Sequence, residues 1–164
     1  MGSGMLYTCE KCGSSHSLAL GIGFSFPRVC QQIMDDIRWG KFGEEWKTLV
    51  EANALVAVDA ELRLYQCACG HWEVEYGLSL FEPKDCEVVL AEESGENAAE
   101  WGRAPCVMGP GLERDYKLLK EWVHRCPKCD AAMEAVDGGE CFPGELTCPD
   151  CGGAMHGGIP IRWD

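Results

Sequence analysis

Long hydrophobic runs are missing from this sequence. None approaches the roughly 20 residues that a membrane-crossing helix needs, and the start carries no apolar stretch of the kind that marks a secretory signal. Basic runs are missing too. The 14 Lys and Arg residues are outnumbered by 27 Asp and Glu, for a formal charge of −13. The acidic excess is spread out: 6 basic against 10 acidic residues over 1–80, 2 against 7 over 81–110, and 6 against 10 over 111–164. Direct nucleic-acid binding rests on Lys and Arg neutralising phosphates, so this balance argues against it. Signatures of chemistry are absent as well: no His-Glu-x-x-His, no phosphate-cradling glycine loop and no serine elbow.

What the chain has in excess is cysteine, 12 in 164 residues. Without an export signal, metal binding in a reduced, cytoplasmic protein is a better reading than a disulfide framework. Two pairs stand out, Cys126-Pro-Lys-Cys129 and Cys148-Pro-Asp-Cys151, with 18 residues between them, inside the roughly 15–20 typical of a four-cysteine zinc site. A two-residue gap lets one tight turn aim both sulfurs at one ion. Gly152 follows the second pair, where a turn that closes through positive φ costs glycine little; Asp130 takes that place after the first. The motif resembles the paired knuckles of zinc-ribbon, rubredoxin-like proteins. That resemblance implies a bound metal and a small antiparallel unit over about the last forty residues, and it leaves zinc and iron both open there.

A second set lies in the first half. Tyr7-Thr8-Cys9-Glu10-Lys11-Cys12-Gly13 and Tyr65-Gln66-Cys67-Ala68-Cys69-Gly70 share an aromatic two positions before the first Cys and a trailing glycine. The shared plan predicts that they pair across the 54 residues between them. The expected ligand sets are therefore Cys9, Cys12, Cys67 and Cys69 at one site and Cys126, Cys129, Cys148 and Cys151 at the other, with Zn²⁺ at each. His71 and Cys141 are alternative ligands. If eight thiolates hold two Zn²⁺, the sites add −8 + 4 = −4 to the formal −13 and bring the chain to −17.

Between the first two pairs, Leu18–Phe26 reads as a strand. Val29, Cys30, Ile33, Met34 and Ile37 recur at helical spacing behind Pro27, with Gly40 as a stop. Glu44–Asn53 reads as a second helix with Trp46, Leu49 and Val50 on one face. Residues 55–58, 62–65 and 72–76 read as strands. The stretch Leu112 to Arg125 fits a helix in its first part and a strand nearest Cys126. Residues 132–136, 145–147 and 159–163 complete the second ribbon, with a hairpin turn at Asp137-Gly138-Gly139.

The fold class expected is α+β: two zinc-ribbon-like small antiparallel β units, the first with a helical-hairpin insertion. Met1-Gly2-Ser3-Gly4 reads as an addition ahead of a natural start at Met5. The first ribbon is expected over 5–81, an acidic linker or extended excursion over 82–111, and the second ribbon over 112–164. This overall plan resembles bacterial zinc-ribbon proteins of uncharacterised role, which brings no activity with it.

Four thiolates close the coordination shell of each ion, whereas catalytic zinc keeps a position open. The expected function is therefore non-catalytic: a protein–protein interaction module or adaptor, with exposed aromatics near Trp101, Trp122 or Trp163. One alternative is a nucleic-acid-associated factor, working as an adaptor or as an acidic decoy. Another is a thiol-redox or metal-handling protein using Cys67 and Cys69 with Cys30, Cys86, Cys106 or Cys141. Cys30 itself, on an apolar helix face, reads as a small buried hydrophobe.

Overall fold

The computed structural model describes residues 2–87, 89, 105–136 and 143–163. In chain order the elements are β1 (Gly2–Cys9), β2 (Ser15–Leu20), α1 (Phe26–Arg38), α2 (Glu44–Ala52), β3 (Ala57–Val58), β4 (Leu62–Gln66), β5 (Trp72–Tyr76), β6 (Leu80–Pro83), α3 (Gly109–Asp115), β7 (Tyr116–Lys120), β8 (Glu134–Ala135), β9 (Glu145–Thr147) and β10 (Ala154–Trp163). The class is α+β, and every ladder is antiparallel. No helix among the described residues is long and apolar enough to cross a membrane.

The chain divides into two compact units, each assembled from separated segments. The first holds Met1–Phe24, Leu62–Tyr76 and Val123–Asp164; the second holds Ser25–Glu61 and Gly77–Trp122. This replaces the division at 81 and 112 expected from sequence. The reason lies in β1, whose partner is the far end of the chain. Gly2 faces Trp163, Thr8 faces His156 and Cys9 faces Met155, with one register shift between Leu6 and Tyr7. Residues 2–4, expected as an addition, are part of this ladder. A Cβ on Gly4 would come within 2.6 Å of Ile161 Cγ1 and 2.7 Å of the Leu18 carbonyl oxygen, so β1, β2 and β10 meet there only around glycine.

In the first unit β2-β1-β10-β9 form one sheet and β5-β4-β8 another, linked by a bridge between Gly21 and Leu62. Alternating side chains of β1, β2, β4, β9 and β10 (Tyr7, Leu18, Leu64, Leu146 and Met155) fill a common core. The second pattern of the strands, one face in and one out, is what a half-buried antiparallel sheet requires. The Tyr7 hydroxyl donates to the Pro143 carbonyl, which satisfies the polar end of an otherwise buried ring.

In the second unit the expected helices form. Pro27 sits in the first turn of α1, and Cys30, Ile33, Met34 and Ile37 are buried. Glu44 and Glu45 open α2, against the positive end of its dipole, and Trp46 and Val50 point inward. Trp122 is half-buried rather than exposed: it stacks edge-on to Trp46 at 5.3 Å and to Phe42 at 5.2 Å. The strands β3-β6-β7 form the sheet of this unit. Residues 55–58 and 62–65 had been expected to serve one ribbon, yet β3 pairs with β6 and β4 with β5. The switch comes at Asp59–Glu61, where the Asp59 carboxylate accepts the Glu61 N–H in a local turn. The stretch from Leu112 divides as expected into helix, then strand, but the strand ends at Lys120, short of Cys126. The hairpin turn at 137–139, Trp101 and most of the acidic excursion lie outside the described residues.

Candidate metal centres

All four cysteine pairs sit on the same local turn. In each, the N–H of the first Cys donates to a carbonyl about five residues on, and its own carbonyl accepts from the residue just after the second Cys. For Cys9 the partners are Ser14 and Gly13, for Cys67 His71 and Gly70, for Cys126 Ala131 and Asp130, and for Cys148 Gly153 and Gly152, at 2.7–2.9 Å throughout. The residue after the second Cys takes positive φ every time: 73° at Gly13, 87° at Gly70, 59° at Asp130 and 70° at Gly152. The glycine position read from sequence is thus a backbone requirement, and Asp130 meets it without being glycine.

The turns combine in a different way from the one expected. One group joins Cys9, Cys12, Cys148 and Cys151; the other joins Cys67, Cys69, Cys126 and Cys129. The eight cysteines brought together are the eight expected, but neither of the two expected sets stays together. We call these the outer and inner groups, by their places along the chain. The outer group follows from the β1–β10 ladder, which delivers Cys9 beside the turn that opens β10. The inner group follows from β8, which pairs with β4 so that Tyr65 faces Ala135 and Gln66 faces Glu134. His124 then lies against the Tyr65 ring, with centroids 3.8 Å apart.

The donor sets fit a tetrahedral ion. Sulfur separations are 3.5 Å for Cys9–Cys151 and 3.7 Å for Cys12–Cys148, and 3.4 Å for Cys67–Cys129 and 3.6 Å for Cys69–Cys126. A tetrahedron with metal–sulfur bonds of about 2.3 Å has edges of about 3.8 Å. Within each group the thiols also shift one another's acidity. In the outer group the Ser14 hydroxyl, with the Ser14 backbone, draws the Cys12 thiol down to about 6, and the same hydroxyl lowers Cys148. Cys151, despite the pull of the Gly153 N–H, is pushed up to about 12 by the thiol of Cys12 and by burial. In the inner group burial raises Cys126, yet the N–H groups of Lys128 and Cys129 outweigh it and bring the thiol to about 6. Cys67, drawn down by the Cys69 N–H, is nonetheless pushed to about 12 by Cys129 and burial. Thiols this close cannot all ionise together unless a positive ion joins them.

The surroundings differ. In the outer group Ser14 Oγ lies 3.1 Å from Cys12 Sγ and 3.3 Å from Cys148 Sγ, and Lys11 Nζ reaches the Cys151 carbonyl at 3.3 Å. His16 Nε2 meets Asp150 at 3.1 Å. The Asp150 carboxyl is held below its ordinary range, first by Ser14 and then by His16. Sequence reasoning missed Ser14, His16 and Asp150. No spacing rule marks them, because they come together only through the β1–β10 pairing. His71, an alternative ligand, lies outside both groups and pairs with Glu73 at 2.9 Å. Cys141 lies outside the described residues.

A cleft of about 210 Å³ runs between the groups, lined by Cys69, His71, Trp72, Lys128, Thr147 and Cys148 among others. Trp72 spans it, donating from Nε1 to the Thr147 carbonyl at 2.8 Å and standing edge-on to His16. Compared with protein-family models, curated proteins and solved structures, the chain matches none of them.

Proposed function

We propose that this chain is a non-catalytic zinc protein of the reducing cytoplasm, in which two Zn²⁺ ions act as structural staples for a surface that serves another protein. The observation that carries the reading is the pair of four-thiolate groups at tetrahedral spacing. A tetrahedral all-sulfur set selects zinc or iron, and four protein ligands leave no position for water or substrate. The ions then supply folding free energy directly, on the order of 10–16 kcal/mol for a structural zinc site near neutral pH.

Support for the interaction role comes from large apolar side chains left in solvent. Phe24 is 86% exposed in the first unit and Trp39 is 73% exposed in the second. Aromatics of this kind are enriched at binding hot spots. Among the described residues Trp39 is exposed, whereas Trp122 is half-buried.

Metal analysis of the purified chain tests the reading. Close to two zinc per chain is expected; one or none would overturn it. Iron with a visible absorption band would make the chain an electron carrier instead. For the partner, capture from lysate with and without nuclease separates the adaptor from a nucleic-acid-associated factor, whose partners would be lost on digestion.

A further inference from the structure

Eight of the 12 cysteines are accounted for by the two groups, which leaves 12 − 8 = 4: Cys30, Cys86, Cys106 and Cys141. Two of these meet. Cys30, on the inward face of α1, is fully buried, and its Sγ lies 3.7 Å from the Pro105 carbonyl oxygen. Cys106, exposed, has its Sγ 3.5 Å from the Pro27 carbonyl oxygen. Each thiol therefore donates to a backbone carbonyl close to the other cysteine, Pro105 beside Cys106 and Pro27 one helical turn before Cys30. We propose that Cys30 and Cys106 form a dithiol–disulfide couple, entered through Cys106 by the disulfide of a low-molecular-weight peptide thiol.

Three observations support the direction of entry. Cys106 opens onto a groove of about 430 Å³ on the flank of α1, lined by Pro27, Arg28, Gln31, Gln32, Asp35 and Cys106. That is space for a tripeptide-sized thiol, whereas Cys30 is closed to solvent. Arg28, exposed on this groove, offers a cation to a carboxylate. The contact with Cys106, and then burial, push the Cys30 thiol up. Cys30 thus keeps its proton, which it donates to the Pro105 carbonyl, and the exposed Cys106 is the sulfur an incoming disulfide reaches first.

The chemistry balances in two exchanges. The Cys106 thiolate attacks RS–SR; the Cys106–SR bond forms, the RS–SR bond breaks and one RS⁻ leaves with the proton Cys106 had given up. Cys30, losing its proton, then attacks the Cys106 sulfur; the Cys30–Cys106 bond forms and the second RS⁻ leaves with that proton. Two protein thiols are oxidised and one disulfide is reduced to two RSH. The second step needs no solvent access to Cys30, because Cys106 is already its neighbour.

Glutathione disulfide, added to the zinc-loaded full chain, is the probe. Peptide mapping should find a Cys30–Cys106 cross-link, so that the thiols outside the two metal groups fall from four to two, and zinc content should not change. In Cys30→Ala the second step is lost, and one glutathione per chain should accumulate on Cys106. Cys106→Ser, at an exposed position, should give neither product. A glutathione adduct that stays on Cys106 in the natural sequence would overturn the proposal. So would cross-links confined to the eight metal-group cysteines with zinc released, or modification of Cys86 or Cys141 alone. If Cys30→Ala fails to fold, the cross-link in the natural sequence decides by its presence or absence.

Discussion

The outer and inner groups hold four cysteine sulfurs each at similar spacing, yet the chain supports them unequally. The outer group ends the longest ladder in the molecule. Cys9 and Cys148 belong to the same core as Tyr7, Leu18, Leu64, Leu146 and Met155, and a serine hydroxyl stands against two of the sulfurs. The inner group rests on a cluster of four residues (Tyr65, Cys67, Cys126 and Met133) and on a two-residue strand. Ligand identity sets which metal binds, and what packs behind the ligands sets how firmly it is kept. The dependence also runs one way. Leu64, on the strand that leads to Cys67, is part of the outer core, whereas the inner cluster contains nothing from β1, β2, β9 or β10.

Ligand replacement breaks the comparison most forcefully. Cys148→Ser should cost the outer ion and, through the core it shares with Leu64, loosen the inner ribbon as well. Zinc should fall from about two per chain toward zero, with loss of near-ultraviolet dichroism from the first unit. A structural site worth about 10–16 kcal/mol matches or exceeds the usual stability of about 5–15 kcal/mol. Cys67→Ser should remove one zinc and leave the four-stranded sheet folded. Equal damage from the two variants would mean that the sites are a single cooperative unit. Zinc lost from Cys67→Ser in the pattern expected for Cys9 and Cys12 would restore the pairing read from sequence.

Chelator challenge sharpens the same contrast without mutation. Two phases of zinc release are expected, the faster from the inner group, where two of the four sulfurs are exposed and no hydroxyl contacts them among the described residues. The assignment is checked in Cys67→Ser, which should lack the fast phase and keep the slow one. A single phase would contradict the unequal support.

How much of this was legible in the sequence follows from what each signal encodes. The eight cysteines of the two groups and the trailing positive-φ position are local signals, written within five residues of each turn, and the sequence shows them. Helices α1 and α2 were found because apolar spacing and a proline start are also local. Pairing is not local. Likeness alone pairs Cys-Pro-x-Cys at 126 with that at 148, and Tyr-x-Cys at 7 with that at 65. Each site instead combines one tyrosine-led turn with one proline-bearing turn. The likeness marks equivalent places in two groups, one built from the outer parts of the chain and one from the parts between them. The spacing marks a strand at Ile159–Trp163 but none over Gly2–Cys9, so the sequence offers β10 no partner at the start of the chain.

Ser14 offers a smaller and more selective test. Ser14→Ala removes the hydroxyl beside Cys12 and Cys148 and leaves the inner group untouched. Loss of a hydrogen bond of this kind to a metal ligand typically lowers affinity about 10–100-fold. In competition with a zinc-responsive dye, the outer site should weaken to that extent and the inner constant should stay unchanged. The order of release under chelator would then narrow or invert.

The smallest effect expected is at Asp130. The turn after Cys129 holds this residue at a φ of 59°, where the corresponding residues of the other three turns are glycine. A left-handed residue with a Cβ carries a cost of roughly 1–2 kcal/mol, less for Asp, whose carboxylate tolerates the region. Asp130→Gly should relieve part of that cost but also add freedom to the unfolded chain, so the net gain is about 0.5 kcal/mol. The gain should appear as slower zinc release from the inner group alone. The reciprocal change, Gly152→Asp, imposes the same conformation on a side chain in the outer group, where a Cβ meets nothing within 4 Å. Its penalty should therefore be conformational and of similar size, about 0.5–1 kcal/mol. Together the two substitutions exchange the turn chemistry of the sites while leaving every ligand in place. If they equalise the two release rates, the turn residue governs how firmly each ion is kept. If the outer ion still leaves last, the packing behind Cys9 and Cys148 governs it, as the one-way dependence on Leu64 implies.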